Sequence, residues 1–224
     1  MQKFVLFDID GTLINPGGAG RRSVTRAFFE MFSIKDAFAG EKMAGKTDIQ
    51  IIKEGLTRHG LPMGDGILSS ILDRYVELLK SEIPNAKGHI HPGVVELLDE
   101  LREADGYWLG LLTGNIERGA RIKLGAFGLN GYFPIGAFGD DHEDRNGLLP
   151  IALEKLTSKA GLNIGYRDCI VVGDTPLDVA CSRPFGAKSL AVATGPYRYE
   201  SLLREGADFV LRDLSHAIEV IKGM

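Results

Sequence analysis

Cysteine is scarce in this sequence: Cys169 and Cys181 are the only two among 224 residues. Two thiols cannot build a disulfide framework, and their spacing matches no zinc motif. They fall in a strand-like and a helix-like run, so the expectation is two buried thiols in a cytoplasmic protein. No run of about 18 apolar residues occurs, so no transmembrane helix is expected. The first apolar stretch is interrupted by Asp8 and Asp10, so no signal peptide is expected either. Positive charge is not in excess: 26 Lys and Arg stand against 30 Asp and Glu, a net charge of −4. That balance speaks against a nucleic-acid partner. There is no internal repeat and no low-complexity segment. What is present is ordinary for a globular protein, with 44% hydrophobic and 25% charged residues. The length allows one large domain or a core plus a smaller one.

Strand-like runs alternate with helical patterns. The strands are expected at Lys3–Phe7, Trp108–Leu112, Ile135–Phe138, Asp168–Val172, Ser189–Ala193 and Phe209–Leu211. Helices are expected at Val94–Arg102, Glu117–Phe127, Pro150–Lys159, Asp178–Phe185 and Tyr199–Glu205. This alternation implies an α/β fold: a Rossmann-like parallel sheet with helices on both faces. The interval from Asn15 to Ala86 differs. It shows helical spacing at Ser23–Phe32, Asp48–His59 and Ile67–Lys80, separated by Gly-rich breaks, and no convincing strand. It reads as a small α-helical insertion after the first strand. Residues 1–14 and 87–224 then form the core and 15–86 the insertion, with Pro16-Gly17-Gly18 and Asn85–Gly88 as hinges.

The most telling stretch is Asp8-Ile9-Asp10-Gly11-Thr12, directly after the apolar run Phe4–Phe7. It places two carboxylates and a flexible turn at the edge of a parallel sheet, where open α/β sheets put their sites. An Asp nucleophile beside an Asp acid/base, with a metal ion, is an arrangement for phosphoryl transfer. Three further parts follow in order. They are Leu111-Leu112-Thr113-Gly114-Asn115, a basic residue before a helix, and Val171-Val172-Gly173-Asp174-Thr175-Pro176-Leu177-Asp178.

Together these motifs resemble the haloacid dehalogenase superfamily, in particular its phosphoglycolate-phosphatase-like members with a helical cap. The resemblance covers nearly the whole chain and is weakest over the insertion, which it identifies as the cap. It implies a Mg²⁺-dependent phosphatase acting on a small phosphorylated metabolite through an aspartyl-phosphate. Asp8 would be the nucleophile and Asp10 the acid/base. Thr113, Gly114 and Asn115 would hold phosphate oxygens at a helix N-terminus. Asp8, the Asp10 carbonyl, Asp174 and Asp178 would surround Mg²⁺, although Asp178 could instead cap the following helix.

The basic residue departs from the family pattern, which has lysine before the helix that precedes the fourth strand. The chain has Asp141-His142-Glu143-Asp144-Arg145-Asn146 there. Arg145 is the favoured counterion of Asp8 and the phosphate, and Lys123 is its rival. In the insertion, Gly45-Lys46-Thr47-Asp48 opens a helix, and Lys46 is a candidate contact for an anionic substrate. His89 and His91 lack a third ligand and read as a hinge loop. The same parts serve phosphomutases, and the missing lysine leaves room for a catalytically weak phosphate-binding module. A dehalogenase fits poorly, because Asp10 and the later acids suit phosphate chemistry. A signalling receiver domain is half this length and orders its acids differently.

Overall fold

The computed structural model describes residues 2–224, and the chain order is as follows. The apolar run at the start becomes β1 (Lys3–Phe7), followed by β2 (Ile14–Asn15). Three helices come next: α1 (Ala19–Phe32), α2 (Asp48–Arg58) and α3 (Asp65–Glu82). The chain returns through β3 (His89–Ile90) and α4 (Val94–Glu103) to β4 (Tyr107–Leu112) and α5 (Glu117–Ala126). Then come β5 (Gly136–Ala137), α6 (Leu148–Ala160), β6 (Cys169–Gly173) and α7 (Pro176–Ser182). The chain ends with β7 (Lys188–Val192), α8 (Tyr199–Arg204), β8 (Phe209–Leu211) and α9 (Ala217–Gly223).

Six strands form one parallel sheet in the order β5-β4-β1-β6-β7-β8. β1 lies inside it, with Phe7 level with Leu111 on one side and Val172 on the other. Both of its faces are covered, which is why its residues are continuously apolar rather than alternating. Val5 and Phe7 pack with Leu97 of α4, Leu124 of α5 and Ile221 of α9. Phe4 and Leu6 point the other way, toward Leu149 and Leu156 of α6 and Cys181 of α7. This is the expected α/β architecture with helices on both faces.

α1, α2 and α3 gather around an apolar cluster of their own, with Phe28, Ile52, Leu56, Ile71 and Leu79 at its centre. Phe28 meets Phe38 edge-on with ring centroids 4.8 Å apart. Ile116 from the sheet side is buried in that cluster, and Ile122 of α5 packs against it. The outgoing and returning chains meet in an antiparallel ribbon that pairs Ile14 with Ile90 and Asn15 with His89. The ribbon has no counterpart in the sequence pattern, because two-residue strands carry no periodicity. Asn15 therefore sits in a short strand, not in a helical stretch.

Other differences have local causes. β5 has only two residues instead of the four expected at Ile135–Phe138. It pairs only with Leu111 and Leu112, and the Phe138 N–H turns to the Asp141 carboxylate at 2.9 Å. α7 stops at Ser182 and tightens into a 3₁₀ turn over Arg183–Phe185, where Pro184 cannot continue an α-helix. α6 begins two residues before Pro150, which still lies in the first turn where its missing N–H costs nothing. No described helix is long and apolar enough to cross a membrane.

Candidate active site

Asp8 and Asp10 lie just beyond the C-terminal end of β1, where the chain leaves the sheet. The Asp8 N–H still bonds the Val172 carbonyl at 2.9 Å, so its position is set by the sheet. Gly11 then takes φ +87°, and a Cβ there would run into the Asp174 carboxylate. Only glycine lets the turn close so tightly over that acid. Thr12, fully buried, donates its hydroxyl to Asp174 Oδ1 at 3.1 Å.

Asp8, Asp174 and Asp178 converge from the ends of β1 and β6, with one carboxylate oxygen of each within 4.8 Å of the others. All three are buried. Burial pushes the Asp8 carboxyl up to about 6, against the pull of Arg145, and Asp178 adds to the rise. Asp174 is raised well above the carboxylate range, first by burial and then by Asp178 and Asp8. Asp174 Oδ2 is buried and bonded to nothing among the described residues. An all-oxygen donor set with an orphaned carboxylate oxygen and mutual repulsion fits a hard divalent cation.

Asp178 has a second occupation. Its Oδ2 accepts the Thr175 N–H at 2.9 Å and the Thr175 hydroxyl at 2.7 Å, forming a capping box at the start of α7. Its Oδ1 receives a short bond from Arg145 Nη2. Both carboxylate oxygens are therefore engaged.

Arg145 is buried between two carboxylates and two backbone carbonyls. Nη2 lies 3.3 Å from Asp8 Oδ1, contacts Asp178, and bonds the Leu112 carbonyl at 3.1 Å. Nη1 reaches the Gly45 carbonyl at 3.3 Å. Burial alone would lower its pKa, but Asp178 and Asp8 outweigh it and hold the guanidinium firmly charged. Arg145 sits in the 3₁₀ turn Arg145–Gly147 that leads into α6, and Asp144 caps that turn by accepting the Asn146 N–H at 2.9 Å.

Lys123 takes a different place. Its Nζ lies 2.5 Å from Asp10 Oδ2 and 2.5 Å from Asn115 Oδ1. The side chain is 4% exposed, so it is no solvated helix lysine. Burial would depress its pKa, but Asp10, Tyr75 and Asp48 reverse that and keep it raised. Asp10 Oδ2 also accepts Asn115 Nδ2 at 2.8 Å. Asn115 Nδ2 bonds the Thr113 hydroxyl as well, at 2.9 Å. The Asn115 amide is thus turned to Asp10, Lys123 and Thr113. Asp10 keeps 34% of its side chain exposed, and so stays open to the cavity.

Gly114 is held against the insertion. Its carbonyl accepts the Asp48 N–H at 2.8 Å, and a Cβ on Gly114 would meet the Lys46 carbonyl. Asp48 Oδ2 accepts the Ile116 N–H at 2.9 Å, and Asp140 Oδ1 accepts the Glu117 N–H at 2.9 Å. The Ile116 and Glu117 amides at the start of α5 are thus taken by carboxylates, and the Thr113 hydroxyl oxygen accepts from the Asn115 side-chain and backbone amides. The Thr47 hydroxyl, which also caps α2, adds a bond to the Glu143 carbonyl at 2.8 Å.

Lys46 lines the same cavity, but its Nζ pairs with Glu54 Oε2 at 2.5 Å. His89 and His91 stack edge-on at 5.2 Å and belong to no acid cluster among the described residues. Three residues of the site were not singled out from sequence as site residues: Tyr75, Asp48 and Thr12. Asp48 reads locally as a helix-opening residue and Tyr75 as one more apolar position, so neither carries a signal for its neighbours across the fold.

Residues 5–192 match the family model "Haloacid dehalogenase-like hydrolase". A phosphoglycolate phosphatase of Rhodospirillum rubrum is 28% identical over 220 residues, covering 96% of this chain and 89% of that protein. The pyrophosphatase PpaX of Halalkalibacterium halodurans is 28% identical over 224 residues, covering 97% and 95%. Among solved structures, CbbY from Rhodobacter sphaeroides in complex with phosphate superposes with a TM-score of 0.76 at 18% identity, over 96% of both chains. At that identity the likeness speaks to the fold.

Proposed function

This chain belongs to the haloacid dehalogenase-like hydrolase family, and on that premise we propose that it is a Mg²⁺-dependent phosphatase of small phosphorylated metabolites. The observation that carries the reading is the convergence of Asp8, Asp174 and Asp178 beside Arg145, with Asp10 next to them at the cavity wall. Named relatives are phosphatases of phosphoglycolate and pyrophosphate, which supports the same class.

In this reading an Asp8 oxygen attacks phosphorus and forms an aspartyl-phosphate while the P–O bond to the leaving alcohol breaks. Asp10 delivers a proton to that alcohol. It then takes a proton from the water that attacks the aspartyl-phosphate, which releases inorganic phosphate and restores Asp8. Mg²⁺, held by Asp8, the Asp10 carbonyl and Asp174, would offset the repulsion between carboxylate and phosphate and orient the reacting oxygens. Arg145 adds a fixed positive charge on the other side of Asp8. Asp178 acts by holding Arg145 and the Asp174 turn, since both its oxygens are engaged. Thr113 and Gly114 receive the phosphate, and Asn115 and Lys123 keep Asp10 in place. Residues 15–86 are the cap and residues 1–14 and 87–224 the catalytic core, with the ribbon of Asn15 and His89 at the cap's base. Lys46 stands at the cap's edge of the cavity.

The test is release of p-nitrophenol from p-nitrophenyl phosphate with Mg²⁺, with an EDTA control and the Asp8→Asn variant. Metal-dependent release that disappears in the variant is expected. Equal release by the variant would remove Asp8 as nucleophile. Transfer of phosphate to a hexose phosphate in place of water would replace the reading with a phosphomutase.

A further inference from the structure

We propose that the leaving group this site accepts is the uncharged, largely apolar body of an alcohol, not a group carrying a second anion. The inference rests on the phosphatase reading above. A cavity of ≈ 490 Å³ runs from Asp8 and Asp10 into the helical insertion. That is the size of a drug-like ligand site, far more than a two-carbon acid fills. Its far wall is made by Val24 of α1, Met43 of the following loop, Ile51 and Ile52 of α2, and Tyr75 of α3. Met43 and Ile51 are only partly buried, so their apolar surface is available to a ligand.

A subsite for a second anion needs a cation that is still in want of a partner. Three of the cavity's four Lys and Arg side chains are held by carboxylates and the fourth, Arg21, by backbone carbonyls, while burial holds His91, whose Nε2 has no partner among the described residues, below the usual imidazole range and so uncharged at neutral pH. Lys46 pairs with Glu54 at 2.5 Å, Lys123 with Asp10 at 2.5 Å, and Arg145 with Asp8 and Asp178. Arg21 gives Nη1 to the Phe38 carbonyl at 2.9 Å and Nη2 to the Glu41 carbonyl at 2.5 Å. It straps down the loop that carries Met43, and so serves the wall. Asp48 lines the cavity as well, and its carboxylate disfavours a second negative charge nearby. An alkyl or aryl body loses water on entering this wall, a gain of about fourfold in affinity per buried methylene.

Isothermal titration with phosphonates, which are not hydrolysed, separates this proposal from the catalytic reading. The probes are methyl-, butyl- and hexylphosphonate, and phosphonoacetate, which replaces the alkyl chain by a carboxylate, all with Mg²⁺. Hexylphosphonate is expected to bind at least thirtyfold more tightly than methylphosphonate (about fourfold for each methylene that the wall covers), and more tightly than phosphonoacetate. Ile51→Lys and Met43→Lys, made separately, are expected to erase most of the chain-length gain and leave methylphosphonate binding unchanged. Affinity that stays flat along the series, or no binding of any phosphonate, overturns the proposal. So does tightest binding of phosphonoacetate, and its loss in Arg21→Ala would place a second anion at that guanidinium. Absence of Asp8-dependent turnover of p-nitrophenyl phosphate would instead overturn the phosphatase reading, whatever the chain-length dependence.

Discussion

Lys123 Nζ stands 2.5 Å from Asp10 Oδ2 and is nearly sealed from solvent, so the helix after the second motif grips the residue assigned as acid/base. Asp48 adds negative charge near that ammonium and the neutral Tyr75 hydroxyl adds a dipole, and both come from the insertion. Two parts of the chain thus meet around one carboxylate, the proposed acid/base.

Lys123→Met is expected to lower turnover of alkyl phosphates about a hundredfold, the scale of lost acid catalysis. Turnover of p-nitrophenyl phosphate, whose leaving group needs no proton, should fall less than tenfold. Steady-state rates on both substrates measure the ratio. An equal fall on both would reduce Lys123 to a structural lysine.

Arg145→Ala leaves Asp8 and Asp178 buried without their cation. A loss of about 3–5 kcal/mol in stability is expected, together with loss of turnover. Arg145→Lys should recover part of the stability and less of the turnover, because an ammonium cannot fork between Asp8, Asp178 and the Leu112 carbonyl. Urea unfolding and p-nitrophenyl phosphate assays on both variants check this.

Asp48 gives a pH signature. Burial raises its carboxyl from 3.8 to about 6, opposed by Lys123 and the Ile116 N–H and aided by Asp10 and Asp140. The folded chain therefore holds this proton more tightly than the unfolded chain. The stability it contributes is full below 3.8 and is lost as pH rises through about 6. Asp48→Asn removes that loss and keeps an acceptor for Ile116. Between pH 4 and pH 7 the variant should gain about 1–2 kcal/mol relative to wild type, allowing for partial solvent screening. Denaturation curves across that range would show no such convergence if Asp48 were unperturbed.

Gly114→Ala would drive a methyl group into the Lys46 carbonyl. A destabilisation of about 1–3 kcal/mol is expected. Hydrogen exchange should quicken at the Asp48 N–H, which bonds the Gly114 carbonyl. Unchanged exchange there would mean that the insertion does not rest on this glycine.

The sheet was legible because each of its inner strands is apolar on both faces and each is followed by a helical pattern. Lys3–Phe7 and Phe209–Leu211 run as expected, and the other long strands differ by a residue at either end. Asp8, Asp10 and Asp174 were legible as a group because they follow strands at a sheet edge. Arg145 was favoured over Lys123 as the counterion of Asp8 through the family resemblance, and its guanidinium does lie 3.3 Å from Asp8. Asn115 was read as a phosphate contact, and the side chains its amide meets, Asp10 and Lys123, lie 105 and 8 positions away, beyond any local pattern. A buried lysine on a helix looks like a solvated one until the facing element is known. Tyr75 and Asp48 fall in the same class: their role depends on packing between two cores, which leaves no local pattern.

The small ribbon that pairs Ile14 with Ile90 bears on how the chain folds. β1 must find β4 across about a hundred residues, since Lys3 lies opposite Tyr107. Once the ribbon has formed, the helical segment is tied off as a closed loop, and the span still to be searched falls to about 25 residues. That shortening saves roughly 1 kcal/mol of chain entropy in the step that joins the two strands. The insertion then becomes nearly invisible to assembly of the sheet, so its length and sequence are free to vary while the order of the central strands is kept.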